Sequence, residues 1–65
     1  MPYYRLYYIS PRTGSIQRFE EVQAADDLDA IRLVRERVGP QPMELWCRAW
    51  MVTRFEAAAP ARLTV

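Results

Sequence analysis

From Tyr3 to Ile9 the chain reads YYRLYYI, a run of tyrosines closed by a β-branched residue, which is strand composition. Side chains alternate along a strand, so Tyr4, Leu6 and Tyr8 share one face while Tyr3, Arg5, Tyr7 and Ile9 share the other. Both faces carry apolar bulk. A strand with one solvated face shows polar residues at every second position, so this pattern predicts a central strand. SPRTGS follows as a turn, in which Pro11 presets its own backbone angle and Gly14 is free to take positive φ, the equipment of a hairpin loop. Ile16 to Gln23 is the returning strand. Its apolar positions, Ile16, Phe19 and Val22, are spaced by three residues, which points to a bulge or a strongly twisted edge. Arg18, Glu20 and Glu21 would guard that edge against stray pairing.

The segment AADDLDAIRLVRERVGPQP carries helical periodicity. Asp26 is the expected N-cap with Asp29 three residues on, Asp27 and Asp29 put negative charge in the first turn, and Gly39 followed by Pro40 is the expected stop. At 100° per residue Ala30, Ile31, Val34 and Val38 fall on one narrow arc, with Leu28 and Leu33 on its flanks, and that arc should face the sheet. Asp29 with Arg32 and Arg32 with Glu36 are spaced to form ion pairs on the opposite side, each worth about 0.2–0.5 kcal/mol.

MELWCRAWMVTRFEAA is too long for one short strand. It divides into Met43 to Cys47, a tight turn near Arg48 and Ala49, and Trp50 to Glu56; no glycine or asparagine marks that turn, and one long bent strand is the alternative. AAAPARLTV, with its small residues and terminal position, reads as a flexible tail after a single domain over residues 1–56.

Composition narrows the picture further. A 65-residue chain buries only about 60% of the surface it exposes when unfolded, and domains of this size usually need a disulfide, a metal or a second subunit. One cysteine and no histidine remove an internal disulfide and the ordinary zinc ligand sets, so association with another chain is the remaining staple. Net charge is +1 and every basic residue is arginine, so no broad basic field exists. No apolar run approaches the roughly 20 residues that span a bilayer, and the N-terminal residues lack a signal-peptide pattern, so a cytoplasmic protein is expected.

YRLYYI, the hairpin, the AADDLDAI helix entry and MELW followed by MVTRF resemble a group of short alphaproteobacterial proteins of no known activity. That group is outlined by tyrosine-arginine-leucine-tyrosine in the first strand, alanine-aspartate-aspartate at the helix entry and glutamate-leucine-tryptophan after the helix. The resemblance spans about residues 3–56 and implies only a small ββαββ outline, with no cofactor or active site. CRAW at 47–50 departs from the glycine-containing turn of the group.

Several constellations invite sharper readings. YYRLYY offers aromatic and arginine groups on which nucleic-acid bases stack, but the glycine-spaced aromatic consensus is absent and the arginines are scattered among acidic residues. Asp26, Asp27 and Asp29 lack the glycine and distant glutamate of a calcium loop, and helix capping accounts for them. Cys47 has no histidine to activate it and sits at an apolar strand position, where an inert buried thiol is expected. Met1-Pro2 allows a tautomerase-like enzyme with Pro2 as general base and Arg5 or Arg35 holding a carboxylate, although the hairpin after the first strand does not fit the strand-to-helix order of that family. Trp46 and Trp50 divide between roles: one packs under the helix and the other, taken as Trp50, joins an exposed patch.

The reading is therefore an α+β domain, ββαββ or ββαβ, with one helix on one face of a mainly antiparallel sheet and a central first strand. One helix covers one face. The other, carrying Tyr3, Arg5, Tyr7 and Ile9 with Trp50, is the expected interface of a non-enzymatic interaction module, most simply a homodimer or else a complex with another protein, with nucleic-acid binding as the alternative and the Pro2 enzyme third. No cofactor and no metal are expected.

Overall fold

The computed structural model describes residues 2–57. Four strands and one helix follow in the order β1 (Tyr3–Ile9), β2 (Ile16–Gln23), α1 (Asp27–Arg35), β3 (Met43–Cys47) and β4 (Trp50–Phe55). The strands form one antiparallel sheet ordered β2-β1-β3-β4, so β1 is central as its two apolar faces require. The expected α+β ββαββ arrangement is the observed one. The tail expected after residue 56 lies, beyond Ala57, outside the described residues.

The β1–β2 loop closes through Ser10 N–H to the Ser15 carbonyl (2.8 Å) and Gly14 N–H to the Ser10 carbonyl (2.8 Å). Gly14 takes φ +78°, and the Ser10 hydroxyl oxygen accepts from the backbone N–H groups of Arg12 and Thr13, so the loop satisfies its own donors. The irregular spacing in β2 is a bulge: Tyr8 pairs with Arg18 and Ile9 with Ile16, leaving Gln17 as the extra residue. Phe19 and Val22, three apart, accordingly fall on opposite faces, Val22 buried and Phe19 exposed.

Asp26 caps α1 as expected, its carboxylate accepting from Asp29 N–H at 2.9 Å, while the Asp29 carboxylate accepts from Ala25 N–H at 3.0 Å. The C-terminus differs from expectation. The α-helix ends at Arg35, short of Gly39, because the chain tightens there: Arg37 N–H reaches the Val34 carbonyl and Val38 N–H the Arg35 carbonyl, three-residue steps that end the α ladder. Gly39 has no left-handed conformation, so the stop is this tightened turn and not a glycine cap.

Ala30 and Val34 are fully buried beneath α1, with Ile31 and Val38 half-buried beside them, whereas Leu28 and Leu33 stay exposed. They meet Tyr4, Leu6 and Tyr8 from β1, Val22 from β2, and Met43, Leu45 and Cys47 from β3. Each fully buried leucine here contributes about 1.5–3 kcal/mol relative to solvent. Two tyrosines of this core keep their hydroxyls at its edge. Tyr4 donates to Asp27 at 2.8 Å, tying β1 to the helix entry, and Tyr8 donates to Glu20 at 3.0 Å. Burial, then the Asp27 carboxylate, pushes the Tyr4 pKa up to about 12. Glu20 also pairs with Arg18 and Arg37, and its pKa is lowered, first by the Tyr8 hydroxyl and then by those two guanidinium groups, against some desolvation. This charged cluster closes the helix side along the β2 edge.

Neither tryptophan packs under the helix, contrary to expectation. In β3 the residues alternate as Met43, Leu45 and Cys47 inward, Glu44 and Trp46 outward, and Trp46 pairs across from Arg5 on the uncovered face. Trp50 is 59% exposed. No helix among the described residues is long and apolar enough to cross a membrane.

Candidate functional site: the uncovered sheet face

Cross-strand partners share a face, so the sheet registers define the side that α1 leaves open. Glu21 lies across from Arg5 and Phe19 across from Tyr7; on the other flank Trp46 faces Arg5, Glu44 faces Tyr7, and Met51 and Arg54 continue the two rows on β4. Phe19, Tyr7 and Trp46 form an aromatic row across three strands. The Tyr7 ring sits 5.9 Å from Phe19, tilted at 54°, and 6.4 Å from Trp46 in an edge-to-face arrangement at 88°. The Arg5 guanidinium lies over Phe19, 4.9 Å from its centroid. Glu44 fixes the other side of the row, accepting from the Trp46 indole N–H at 3.0 Å and pairing with Arg54 at 2.9 Å.

Of the residues expected at an interface, Tyr3, Arg5 and Tyr7 do share this face, Tyr3 being 63% exposed. Ile9 is set apart from them by burial: it is 5% exposed, past the β2 bulge, with its N–H on the Pro42 carbonyl and its carbonyl accepting from the Gln41 side chain. Trp50 is exposed but pairs with Cys47, whose side chain belongs to the core, so Trp50 sits on the helix side at the β4 edge. The face gains instead Phe19, Trp46 and Met51. For Trp46 the signal was in the sequence, since Glu44 two residues earlier marks the same face as polar; Phe19 and Met51 needed the registers.

β3 and β4 are joined by a two-residue turn, Arg48 and Ala49, as expected from the division of this segment. Arg48 takes φ +55°, the sole non-glycine residue in positive φ among those described. Positive φ at the first central position alone is the type II′ pattern, where glycine is the usual occupant. Arg48 borders a hollow of about 420 Å³ on the open face, between Tyr3, Arg5, Tyr7 and Trp46 with Glu21 on its rim. A second hollow of about 270 Å³, toward Ile16 and Glu44, shares Tyr7, Trp46 and Arg48 with the first.

The other candidate groups have structural partners. Asp26 caps the helix, Asp27 accepts from Tyr4, and Asp29 pairs with Arg32; among the described residues no cluster of three or more metal-binding side chains occurs. Cys47 is buried. The hollow beside Pro2 lies on the helix side, bordered by Asp26 and Asp27 and by no arginine, while Arg5 is on the opposite face. Comparison with protein-family models, with curated proteins and with solved structures found no match for this chain.

Proposed function

We propose that this protein is a non-enzymatic interaction module that self-associates through the uncovered sheet face. The observation that carries the reading is the aromatic row Phe19-Tyr7-Trp46, flanked by exposed Tyr3 and Met51, on a face that no element of the described chain covers. A second copy suits this face better than a polyanion does. Arg5 and Arg54 stand across from Glu21 and Glu44 there, so the face is mixed in sign, and a two-fold contact can set an arginine of one copy against a carboxylate of the other. Burial of the exposed rings would supply the affinity, at about 25 cal/mol per Å² of apolar surface, and the charged pairs would set the register.

Sedimentation equilibrium from low to high micromolar concentration, in moderate and high salt, tests the proposal. A salt-insensitive dimer that Phe19→Glu converts to monomer, with the circular dichroism spectrum retained, is the expected result. A wild-type chain that stays monomeric up to about 1 mM would overturn it. Nucleic-acid binding through the same face would instead show affinity falling steeply with salt.

A further inference from the structure

We propose that the hollow between Tyr3, Arg5, Tyr7, Trp46 and Arg48 binds a small planar aromatic anion, its ring against the aromatic walls and its carboxylate or phosphate on the two guanidinium groups. Its volume, about 420 Å³, lies within the roughly 300–1,000 Å³ of small-molecule sites. Three aromatic side chains, Tyr3, Tyr7 and Trp46, form its walls, and the Trp46 ring is held in place by its hydrogen bond to Glu44 and its edge contact with Tyr7. Among the described residues Arg5 and Arg48, like Arg12 and Arg35, are in no salt bridge, and Glu21 stands across from Arg5 on β2. Glu21 on the rim offers an acceptor for a ring amino group.

The backbone at Arg48 supplies an independent argument. An L-residue in the left-handed region is disfavoured, and glycine would fill this turn position without that strain. A charged residue at a strained position, on the border of a hollow that Arg5 also lines, is the kind of local cost that accompanies binding sites. A glycine turn would leave only Arg5.

Trp46 makes the site directly readable. In a Trp50→Phe background its fluorescence is titrated with adenosine 5′-monophosphate and with phenylacetate, probes that share a ring and an oxyanion, and with adenosine and inorganic phosphate as the separate halves. Saturable quenching by at least one of the two ring anions is expected, with adenosine and phosphate each binding at least about tenfold more weakly than the nucleotide if the phosphate is recognised. Which of the two probes binds tells a phosphate ligand from a carboxylate one. Arg48→Gly, which keeps the fold, should weaken binding about tenfold or more, while Arg12→Ala, the same loss of charge in the β1–β2 loop, should leave it unchanged. Absence of saturation by both ring anions up to about 10 mM would overturn the proposal. So would equal loss in the two arginine variants, or inorganic phosphate binding as tightly as the nucleotide. The hollow lies on the face proposed for self-association, so a dimer would cover it, and binding is also read on the Phe19→Glu monomer: failure to bind there refutes only the site, whereas a wild-type monomer that binds refutes only the dimer.

Discussion

Replacing Arg48 with glycine should make this protein more stable. The residue occupies φ +55° at the first central position of the β3–β4 turn, and an L-side chain in the left-handed region costs about 1–2 kcal/mol from the approach of Cβ to the following carbonyl oxygen. Glycine removes that cost but gives up about 0.5–1 kcal/mol through the greater freedom of its unfolded chain. The difference leaves a net gain of about 0.5–1 kcal/mol, and Arg48 has no ion pair among the described residues whose loss would cancel it. In a domain of this size that corresponds to a rise of about 2–8 °C in Tm. The decisive comparison is with Arg48→Ala, which deletes the same guanidinium but retains Cβ and therefore the strain. Thermal and urea unfolding followed by circular dichroism, at one protein concentration so that any association is held constant, should rank glycine above wild type and alanine at or below it. If the alanine and glycine variants unfold together, the left-handed turn is not a source of strain and the reasoning fails.

Gly14 is the counterpart at the other hairpin. It has φ +78° and an added methyl group would meet nothing within 4 Å, so Gly14→Ala should cost about 0.5–1 kcal/mol net, backbone strain of about 1–2 kcal/mol less the reduced freedom of the unfolded chain, read from a lowered urea midpoint. An unchanged midpoint would place the strain elsewhere. Stability should also depend on pH at both extremes. Tyr4 holds its proton up to about pH 12 in the fold against an ordinary value of 10.0, so the folded state binds more protons between these limits and stability falls as pH rises from about 10 to 12; Tyr4→Phe should flatten that limb. Glu20 has the opposite sign, its pKa lowered by Tyr8, Arg18 and Arg37, so its contribution is present above the ordinary carboxylate value and is lost as acidification passes through the lowered one; Glu20→Gln should remove that part of the acid limb. Urea midpoints measured across pH settle both.

Alternation made most of the fold legible. Tyr4, Leu6 and Tyr8 against Tyr3, Arg5 and Tyr7 read directly as a central strand with two distinct faces, and the Asp26 cap was visible because its carboxylate acts on neighbours three residues away. What escaped depended on one contact distant in sequence and on one local choice of backbone. Ile9 follows the alternation of an ideal strand, but the extra residue at Gln17 and the tie from Ile9 to Pro42 rearrange that end of the sheet and bury it. The helix stops early because the chain tightens after Arg35, and Gly39 with Pro40 offered a more conspicuous stop that the backbone does not use.

One misreading and one turn that was expected without a marking residue lie in the same place. Trp46 was assignable to the core because a large aromatic next to Leu45 and Cys47 looks like core, and the turn after it was unmarked because arginine stands where glycine is expected. Both are departures from what folding alone favours: an indole turned outward beside Arg5, and a left-handed residue with a charged side chain. In a sequence selected for folding, local preference and global structure agree, and conflicts concentrate where another requirement is met. Trp46 and Arg48 border the same hollow, and they share it with the one exposed arginine of the central strand. The core side of this sheet follows the rules of strand alternation closely, so the two departures fall on the open side, where the proposed contacts would be made.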